Sequence, residues 1–135
     1  MVEIRIQVEV QIDVGDIAKV YPISTEIQGK EATIINIELK RPIAPEEVKL
    51  IKEAIAKAKK YISNELVIIS GRGPIWMYCV LVHMFHGISA NVAVLDPKQE
   101  GAVVVMSHDP YLKEGTVIKL PKELIEKVLQ LSNPG

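Results

Sequence analysis

The segment Ser70-Gly71-Arg72-Gly73-Pro74 has the composition of an anion-binding turn. It follows a short apolar run and precedes a predicted helix, and free N–H groups at a helix start favour bound anions. The glycines let the backbone approach a ligand, Arg72 can make a two-pronged phosphate contact, and Ser70 adds a hydroxyl. The pattern is neither a Walker loop nor a dinucleotide fingerprint. An alternative therefore stays open: a tight turn that needs glycine for positive φ and carries a surface Arg72.

Three histidines and one aspartate form a second candidate site. His83 and His86 are three residues apart on the predicted helix, so both lie on one side of it. Asp96 ends one predicted strand, and His108 follows the next. Two histidines and a carboxylate bind manganese, iron or zinc with open positions, and the same groups suit acid–base work. The structural alternative is that the histidines cap carbonyls and that Asp96 makes a turn before Pro97.

The remaining reactive side chains give weaker signals. Cys79 lies among apolar neighbours and is predicted to be inert core. Trp76 follows the glycine-rich segment closely enough to stack on a base, or it packs at a subunit interface. Tyr78 and Tyr111 are possible donors to a phosphate. The sequence shows no Ser-His-Asp order and no nucleophile-elbow spacing.

Hydrophobic periodicity predicts the strands that would position these residues. Apolar residues alternate strictly with polar or charged residues over residues 2–12, which predicts a strand with one solvent-exposed face. Such a strand pairs with antiparallel neighbours or lies at a sheet edge. The apolar run 66–69 has no alternation, which is typical of a central strand covered on both faces. Further strands are predicted at about 17–21 and at 33–39, 91–95, 102–106 and 116–120.

Three helices are predicted between and after these strands. One opens at Pro45, keeps an apolar face through Ile62 and closes at Ser63 and Asn64. The second covers residues 74–86 before Gly87, and because almost every residue is apolar we expect it to be buried in the domain or against a second subunit. The third opens at Pro121. The pattern predicts an α/β fold, a single domain with a mixed sheet flanked by helices.

Length, charge and cysteine content restrict the function classes. The 135 residues suit one domain, and at 48% hydrophobic they can form a core without disulfides. The formal net charge of −1 argues against counterion-driven binding of long nucleic acid or an anionic membrane. The single cysteine excludes a disulfide framework and a Cys-based zinc site. One cysteine suits a reducing compartment, the alternating start MVEIRIQVEV does not resemble a signal peptide, and no apolar run approaches the ~20 residues of a membrane span, so we expect a cytoplasmic protein.

Three blocks of sequence occur together in this chain: V-I-I-S-G-R-G-P-I-W at 67–76, V-A-V-L-D-P at 92–97, and G-A-V-V-V-M-S-H at 101–108. They closely resemble a family of small CRISPR-associated proteins. That family was first described as manganese-dependent RNA deadenylases and later as ring nucleases of type III CRISPR systems. The similarity covers roughly residues 33–120.

The resemblance implies a fold related to the CRISPR-associated Rossmann fold, a homodimer, Mn²⁺ as cofactor and cyclic tetra-adenylate as ligand. It implies that one dimer holds the ligand and that a second dimer closes over it for cleavage, which switches off antiviral signalling. Cleavage of short oligoadenylate RNA is a further possibility. Within a single domain 1–135, residues 1–32 would be a strand extension, 33–120 the ring-nuclease-like core, and 121–135 a C-terminal helix and tail.

The resemblance also implies roles for individual residues. The ligand backbone would be held by Ser70, Gly71, Arg72, Gly73 and Pro74. Metal-dependent cleavage would involve Asp96, His108 and His86, with His83 as the alternative to His86. Two other readings stay open: a sensor that binds cyclic oligoadenylate without cutting it, and a purely structural dimerisation module.

Overall fold

One mixed sheet of eight strands carries three α-helices on its two faces. The structure is a computed structural model that describes residues 5–132. The strands are β1 Ile6–Val8, β2 Ile12–Val14, β3 Ala18–Ile27, β4 Lys30–Leu39, β5 Leu66–Gly71, β6 Asn91–Asp96, β7 Gly101–Ser107 and β8 Val117–Lys119. The α-helices are α1 Val48–Lys57, α2 Ile75–His86 and α3 Lys122–Ser132. The predicted α/β single domain with a mixed sheet is confirmed, whereas the relation to the Rossmann fold stays a prediction.

The strands lie in the order β1-β3-β4-β5-β6-β7-β8, and β2 also pairs with β3. The candidate site residues lie at two opposite ends of these strands. Strands β4, β5 and β6 are parallel, so they end together at Leu39, Gly71 and Asp96. Strand β7 is antiparallel to β6 and therefore ends, at Ser107, on the opposite side. We call these sides the Arg72 end and the His108 end of the sheet.

Each face of the sheet has its own core. Helices α1 and α2 cover one face, where Ile37, Ile69 and Leu81 are fully buried. Helix α3 covers the other face, where Ile34 and Ile68 are fully buried. Burial of each such side chain contributes about 1.5–3 kcal/mol, so the two layers hold both ends of the sheet in fixed positions.

The N-terminal strand differs from the prediction. Instead of one strand over residues 2–12, the described part contains β1 and β2, which pair in turn along the edge of β3. Residues 9–11 oppose only Tyr21 and Pro22, because Val8 pairs with Ile23 and β2 resumes pairing at Val20. Pro22 has no N–H to donate, so an irregularity is favoured there. The predicted edge position is confirmed; residues 1–4 lie outside the described part.

Strands β3 and β4 are longer than predicted. They are ten residues each and form a hairpin joined by Gln28 and Gly29, whose φ angles of 52° and 79° suit a two-residue turn. The first α-helix is shorter than predicted, because it ends at Lys57 and a 3-10 turn covers Lys59–Tyr61. Short 3-10 turns also cover Pro45–Glu47 and Pro97–Gln99. The C-terminal helix includes Ser132, predicted to start the tail; residues 133–135 are outside the described part.

Helix α2 is less buried in one copy of the chain than expected. Only a stripe of Met77, Leu81 and Phe85 is buried, whereas Ile75 is 83% exposed. The prediction that Cys79 is inert core was wrong, because this side chain is exposed. A helix on a sheet buries one stripe, so an apolar helix without a second cover exposes the rest. No helix among residues 5–132 is long and apolar enough to cross a membrane. The boundaries at residues 32 and 120 stay predictions.

Candidate functional site

The Arg72 end is formed by a glycine-rich turn between β5 and α2. Pro74 is the N-cap residue of α2 in extended conformation, and no side chain caps this helix start. The first turn of α2 therefore presents backbone N–H groups and the positive end of the helix dipole. This arrangement is suited to an anion.

Close packing against backbone requires the glycine at position 71, whereas Gly73 lies against the flexible end of a methionine side chain. Gly71 has a φ of 124°, and a Cβ there would lie 2.1 Å from the carbonyl oxygen of Ile37. A Cβ on Gly73 would lie 2.4 Å from Cε of Met77. The hydroxyl of Tyr78 donates a hydrogen bond to the carbonyl oxygen of Gly71, and burial raises the pKa of this hydroxyl. The turn is thus rigid whether or not it binds a ligand.

Arg72 is exposed and forms no hydrogen bond or ion pair with any residue of the described range 5–132. It lines an open cavity of about 470 Å³ together with Glu38, Lys40 and Arg41. The other two cations have partners. Arg41 binds both carboxylate oxygens of Glu47 at 3.0 and 2.8 Å, and Lys40 donates to the carbonyl oxygen of Gly15 at 2.8 Å. Arg72 is therefore the cation of this cavity that is available to an added anion.

Ser70 lies directly before the turn and is 1% exposed. Its Oγ has no hydrogen-bond partner among the described residues. A buried hydroxyl without a partner costs free energy, and it needs explanation when it borders a candidate ligand site. The Ser70 hydroxyl, which is predicted to support anion binding, is thus available to hydrogen-bond a ligand.

Asp96 reaches the same end of the sheet as the glycine-rich turn. The parallel register that pairs Ile69 with Val94 brings the end of β5 beside the end of β6. Asp96 is the N-cap of the 3-10 turn Pro97–Gln99, and its Oδ1 accepts the N–H of Lys98 at 3.1 Å. One oxygen of the Asp96 carboxylate therefore stabilises a turn, as the structural alternative predicts. The other oxygen has no hydrogen-bond partner within residues 5–132.

The His108 end brings two histidines together. His86 is the last residue of α2, and His108 follows β7. Their rings stack with centroids 5.0 Å apart and an interplanar angle of 22°, and both side chains are exposed. His83 is also exposed but does not stack with either ring. Of the two candidate helix histidines, the structure places His86 beside His108.

Long-range hydrogen bonds fix the backbone next to His108. The N–H of His108 donates to the carbonyl oxygen of Ala90 at 2.9 Å. Ser107 Oγ donates to Oδ1 of Asn91 at 2.7 Å, and Asn91 Nδ2 donates to the carbonyl oxygen of Glu65 at 2.9 Å. The sequence did not predict these hydrogen bonds. The signal that it carries for them is a polar residue at the end of an apolar strand, Asn91 in β6 and Ser107 in β7.

The carboxylate of Asp109 completes the surroundings of the His108 end. Lys30 Nζ lies 2.9 Å from its Oδ2. This hydrogen bond, followed by one from the N–H of Tyr111, lowers the pKa of Asp109. Asp109 is thus occupied by a lysine and a turn amide, and it does not act on the histidine pair.

Asp96 and the histidine pair do not meet within one copy. In the β6–β7 pairing Asp96 faces Gly101, whereas Asn91 faces Ser107 at the other end. Five residues of strand separate the ends by about 17 Å. The described residues accordingly contain no group of three metal-ligating side chains. The expectation of one His/Asp cluster fails for a single copy because β6 and β7 are antiparallel, so their carboxyl ends lie apart.

Two comparisons with known proteins gave matches. The sequence model of a CRISPR-associated protein family (Cas_csx3) matches residues 36–119. An uncharacterized protein of Aquifex aeolicus (strain VF5) is 45% identical over 89 residues, which cover 66% of this chain and 78% of that protein. No solved structure matches the chain. The matched region contains both the glycine-rich turn and the residues of the His108 end.

Proposed function

Because this chain belongs to the CRISPR-associated Cas_csx3 family, we propose that it is a metal-dependent phosphodiesterase, a ring nuclease, that binds and cleaves cyclic tetra-adenylate. Cleavage of this second messenger would switch off type III CRISPR antiviral signalling. The sequence resemblance to ring nucleases supplies the ligand and the reaction, and the geometry of the two ends of the sheet supports it.

The observation that carries the proposal is the guanidinium of Arg72 at the start of α2, where the described residues provide neither a partner for Arg72 nor a side-chain cap for the helix. Guanidinium–phosphate contacts are charge-assisted and two-pronged, and helix N–H groups add to them. Beside this turn, the Oγ of Ser70 is buried and has no hydrogen-bond partner within residues 5–132. The formal net charge of −1 favours a small ligand met at one local site over a long polyanion.

Cleavage would require two copies of the chain. One copy offers Arg72 and Asp96 at one end of the sheet, and another offers His86 and His108 at its opposite end. Residues 5–132 of a single copy contain no group of three side chains that could hold a metal ion. Two imidazoles from one copy and a carboxylate from another do fit the set that holds Mn²⁺. Bound there, the metal would stabilise the charge on the phosphodiester.

The chain's own residues have separable tasks in this scheme. Arg72 and the backbone N–H groups neutralise the phosphate and hold it in place. The attacking group is either the adjacent ribose 2′-OH or water, and its proton passes to bulk water, because His86 and His108 both serve as metal ligands in this scheme. Attack by the ribose leaves a 2′,3′-cyclic phosphate and a 5′-hydroxyl, whereas attack by water leaves an uncyclised phosphate. The product therefore identifies the nucleophile.

A second function, a sensor that binds cyclic oligoadenylate without cutting it, is favoured by one observation. Asp96 already uses one oxygen to cap the 3-10 turn, so its carboxylate has a structural task that needs no metal. In that case the Arg72 end alone would be functional.

Incubation with cyclic tri-, tetra- and hexa-adenylate, each with Mn²⁺ and with EDTA, tests the proposal. We expect linear product from cyclic tetra-adenylate with Mn²⁺ and intact ring with EDTA. Binding of the ring without linear product under either condition would establish the sensor instead. Absence of both binding and cleavage for all three rings would refute both functions.

A further inference from the structure

The cavity beside Arg72 contains a carboxylate as well as cations. Its volume of about 470 Å³ lies within the range of roughly 300–1,000 Å³ that is typical of small-molecule sites. Glu38 lines this cavity together with Arg72, Lys40 and Arg41. A carboxylate repels a bound phosphate, so a cavity that held only phosphate would bind it more tightly without Glu38. The position of Glu38 therefore needs an explanation beyond anion binding.

The cations around the cavity do not neutralise Glu38. Arg41 forms an ion pair with Glu47 at 2.8 Å, and Lys40 lies 3.6 Å from a carboxylate oxygen of Asp13. No Lys or Arg of residues 5–132 forms an ion pair with Glu38. The cavity thus offers a ligand two separate groups, a cation that can bind a phosphate and an acceptor that can bind a hydrogen-bond donor.

The hydroxyl of Tyr21 holds the Glu38 carboxylate in place. Tyr21 pairs with Asn36 in the β3–β4 register, so Glu38 lies diagonally across from Tyr21 on the same face of the sheet. The Tyr21 hydroxyl donates a hydrogen bond to Oε2 of Glu38 at 3.1 Å. Tyr21 is buried in the core under α3, so its hydroxyl has a fixed position. The other carboxylate oxygen, Oε1, has no hydrogen-bond partner within residues 5–132.

A nucleotide has both features that this cavity can bind, an anionic phosphate and a base that carries N–H donors. Adenine has an exocyclic amine at N6, and a Glu carboxylate is a suitable acceptor for an exocyclic base amine. We propose that Glu38 recognises the adenine base, with Oε1 accepting a hydrogen bond from the N6 amine while Arg72 binds a neighbouring phosphate. This assignment rests on the proposed function, because it takes the cyclic oligoadenylate ring as the ligand.

The assignment has a consequence for specificity. Guanine and uracil carry a carbonyl oxygen where adenine carries its amine, so each would face Glu38 acceptor to acceptor. Glu38 therefore selects bases with an amine, although its charge weakens the binding of phosphate. Removal of the carboxylate should reduce discrimination between bases more than it reduces affinity.

Binding of two rings in EDTA, where the proposed scheme allows no cleavage, tests this assignment. The probes are cyclic tetra-adenylate and the cyclic tetranucleotide of purine riboside, in which a hydrogen atom replaces the N6 amine. We expect the wild type to prefer the adenylate ring by about 10–100-fold, and Glu38→Ala to bind the two rings within about twofold of each other. Glu38→Gln keeps an acceptor oxygen without the charge, so it should retain part of the preference.

Two further variants separate recognition from charge and from packing. Asp16→Ala is the matched control for charge, because Asp16 lies 3.4 Å from Nε of Arg41 but is not among the described residues that line the cavity. This variant should change the affinity for both rings by the same factor. Tyr21→Phe removes only the hydroxyl that orients Glu38. It should reduce the preference while leaving the affinity for the purine riboside ring unchanged, whereas a packing defect would weaken both rings equally.

The possible results distinguish this assignment from the proposed function. Equal affinity of the wild type for the two rings would overturn the role of Glu38 but would leave the proposed function standing. A full preference retained by both Glu38→Ala and Tyr21→Phe would do the same. Failure of the wild type to bind either ring would instead refute the proposed function, and the role of Glu38 with it.

Discussion

The Arg72 end and the His108 end of the sheet are built from different kinds of interaction. At the Arg72 end, a few consecutive residues form the turn, and glycine packing against Ile37 and Met77 fixes its shape. At the His108 end, two rings from distant parts of the sequence stack, and the backbone beside them is held through Ala90 and Asn91. The residues of the anion site are contiguous in sequence and take their shape from packing against β4, whereas the two histidines are brought together only by the folded domain.

The difference assigns separate tasks to the two ends. The Arg72 end has an available cation and an open cavity, which suits binding. The His108 end has two exposed imidazoles and no available cation among the contacts described, which suits proton transfer or metal binding rather than anion capture. Binding and cleavage should therefore respond to different substitutions.

Asp96→Asn should have the largest effect on cleavage. We expect turnover to be lost while affinity for the ring stays within several-fold, since a metal-site carboxylate acts mainly on the transition state. The amide oxygen of Asn can still accept the N–H of Lys98, so the 3-10 turn is retained. Single-turnover cleavage and equilibrium binding measure the two effects. Unchanged turnover would remove Asp96 from the mechanism.

Arg72→Ala should mainly weaken binding. A charge-assisted phosphate contact is worth ~1.5–3 kcal/mol, so we expect affinity to fall on the order of ten- to a hundred-fold. The melting temperature should not change, because the side chain has no partner within residues 5–132. Arg72→Lys keeps the positive charge but not the two-pronged guanidinium contact, so it should lose less affinity than Arg72→Ala. Normal binding with a much lower melting temperature would instead identify a structural residue.

Gly71→Ala should destabilise the Arg72 end from within. The added Cβ meets the backbone of β4 at a φ that L residues rarely adopt, so we expect a loss of at least about 3 kcal/mol of unfolding free energy. Gly29→Ala is the matched control: its φ is also positive, at 79°, but a Cβ there would have no heavy atom of residues 5–132 within 4 Å apart from its chain neighbours. That variant should lose only about 1 kcal/mol. Chemical denaturation measures both, and equal losses would show that packing against β4 does not matter.

Glu47→Gln should have the smallest effect, confined to low pH. The hydrogen bond from Arg41, supported by the N–H of Ala44, lowers the pKa of Glu47 from 4.5 to about 2. The unfolded chain takes up the proton at higher pH than the folded chain does. The stabilisation is therefore present above pH 4.5 and is lost as the pH falls toward 2.

Thermal melts between pH 5 and pH 2 check this prediction. The wild type should lose its advantage over Glu47→Gln across that range, and the advantage should be small because the pair is exposed. Glu46→Gln removes the neighbouring charge and should show no such convergence. A constant difference between the wild type and Glu47→Gln at all pH values would contradict the assignment.

Much of the Arg72 end was predictable because its determinants are adjacent in sequence. Ser70 to Pro74 contain the glycines, the cation and the helix start, and the apolar run before them indicates a central strand. The pairing of His86 with His108 and the distance from Asp96 to both were not predictable from spacing. They depend on whether β6 and β7 are parallel, and periodicity does not encode strand direction. The exposed face of α2 was not predicted, because an apolar composition does not show which side of a helix packs against the rest of the domain.

Mixing two impaired variants, at a ring concentration too low for Arg72→Ala to bind, tests most directly the claim that two copies complete one site. Arg72→Ala lacks the binding end and His108→Ala lacks the histidine pair, but each retains the end that the other has lost. If the ends meet between copies, the mixture should regain about a quarter of wild-type cleavage by random pairing. Arg72→Ala mixed with Asp96→Asn should regain none, because both substitutions lie at the same end. No recovery in the first mixture at any ratio, or equal recovery in both, would contradict the account.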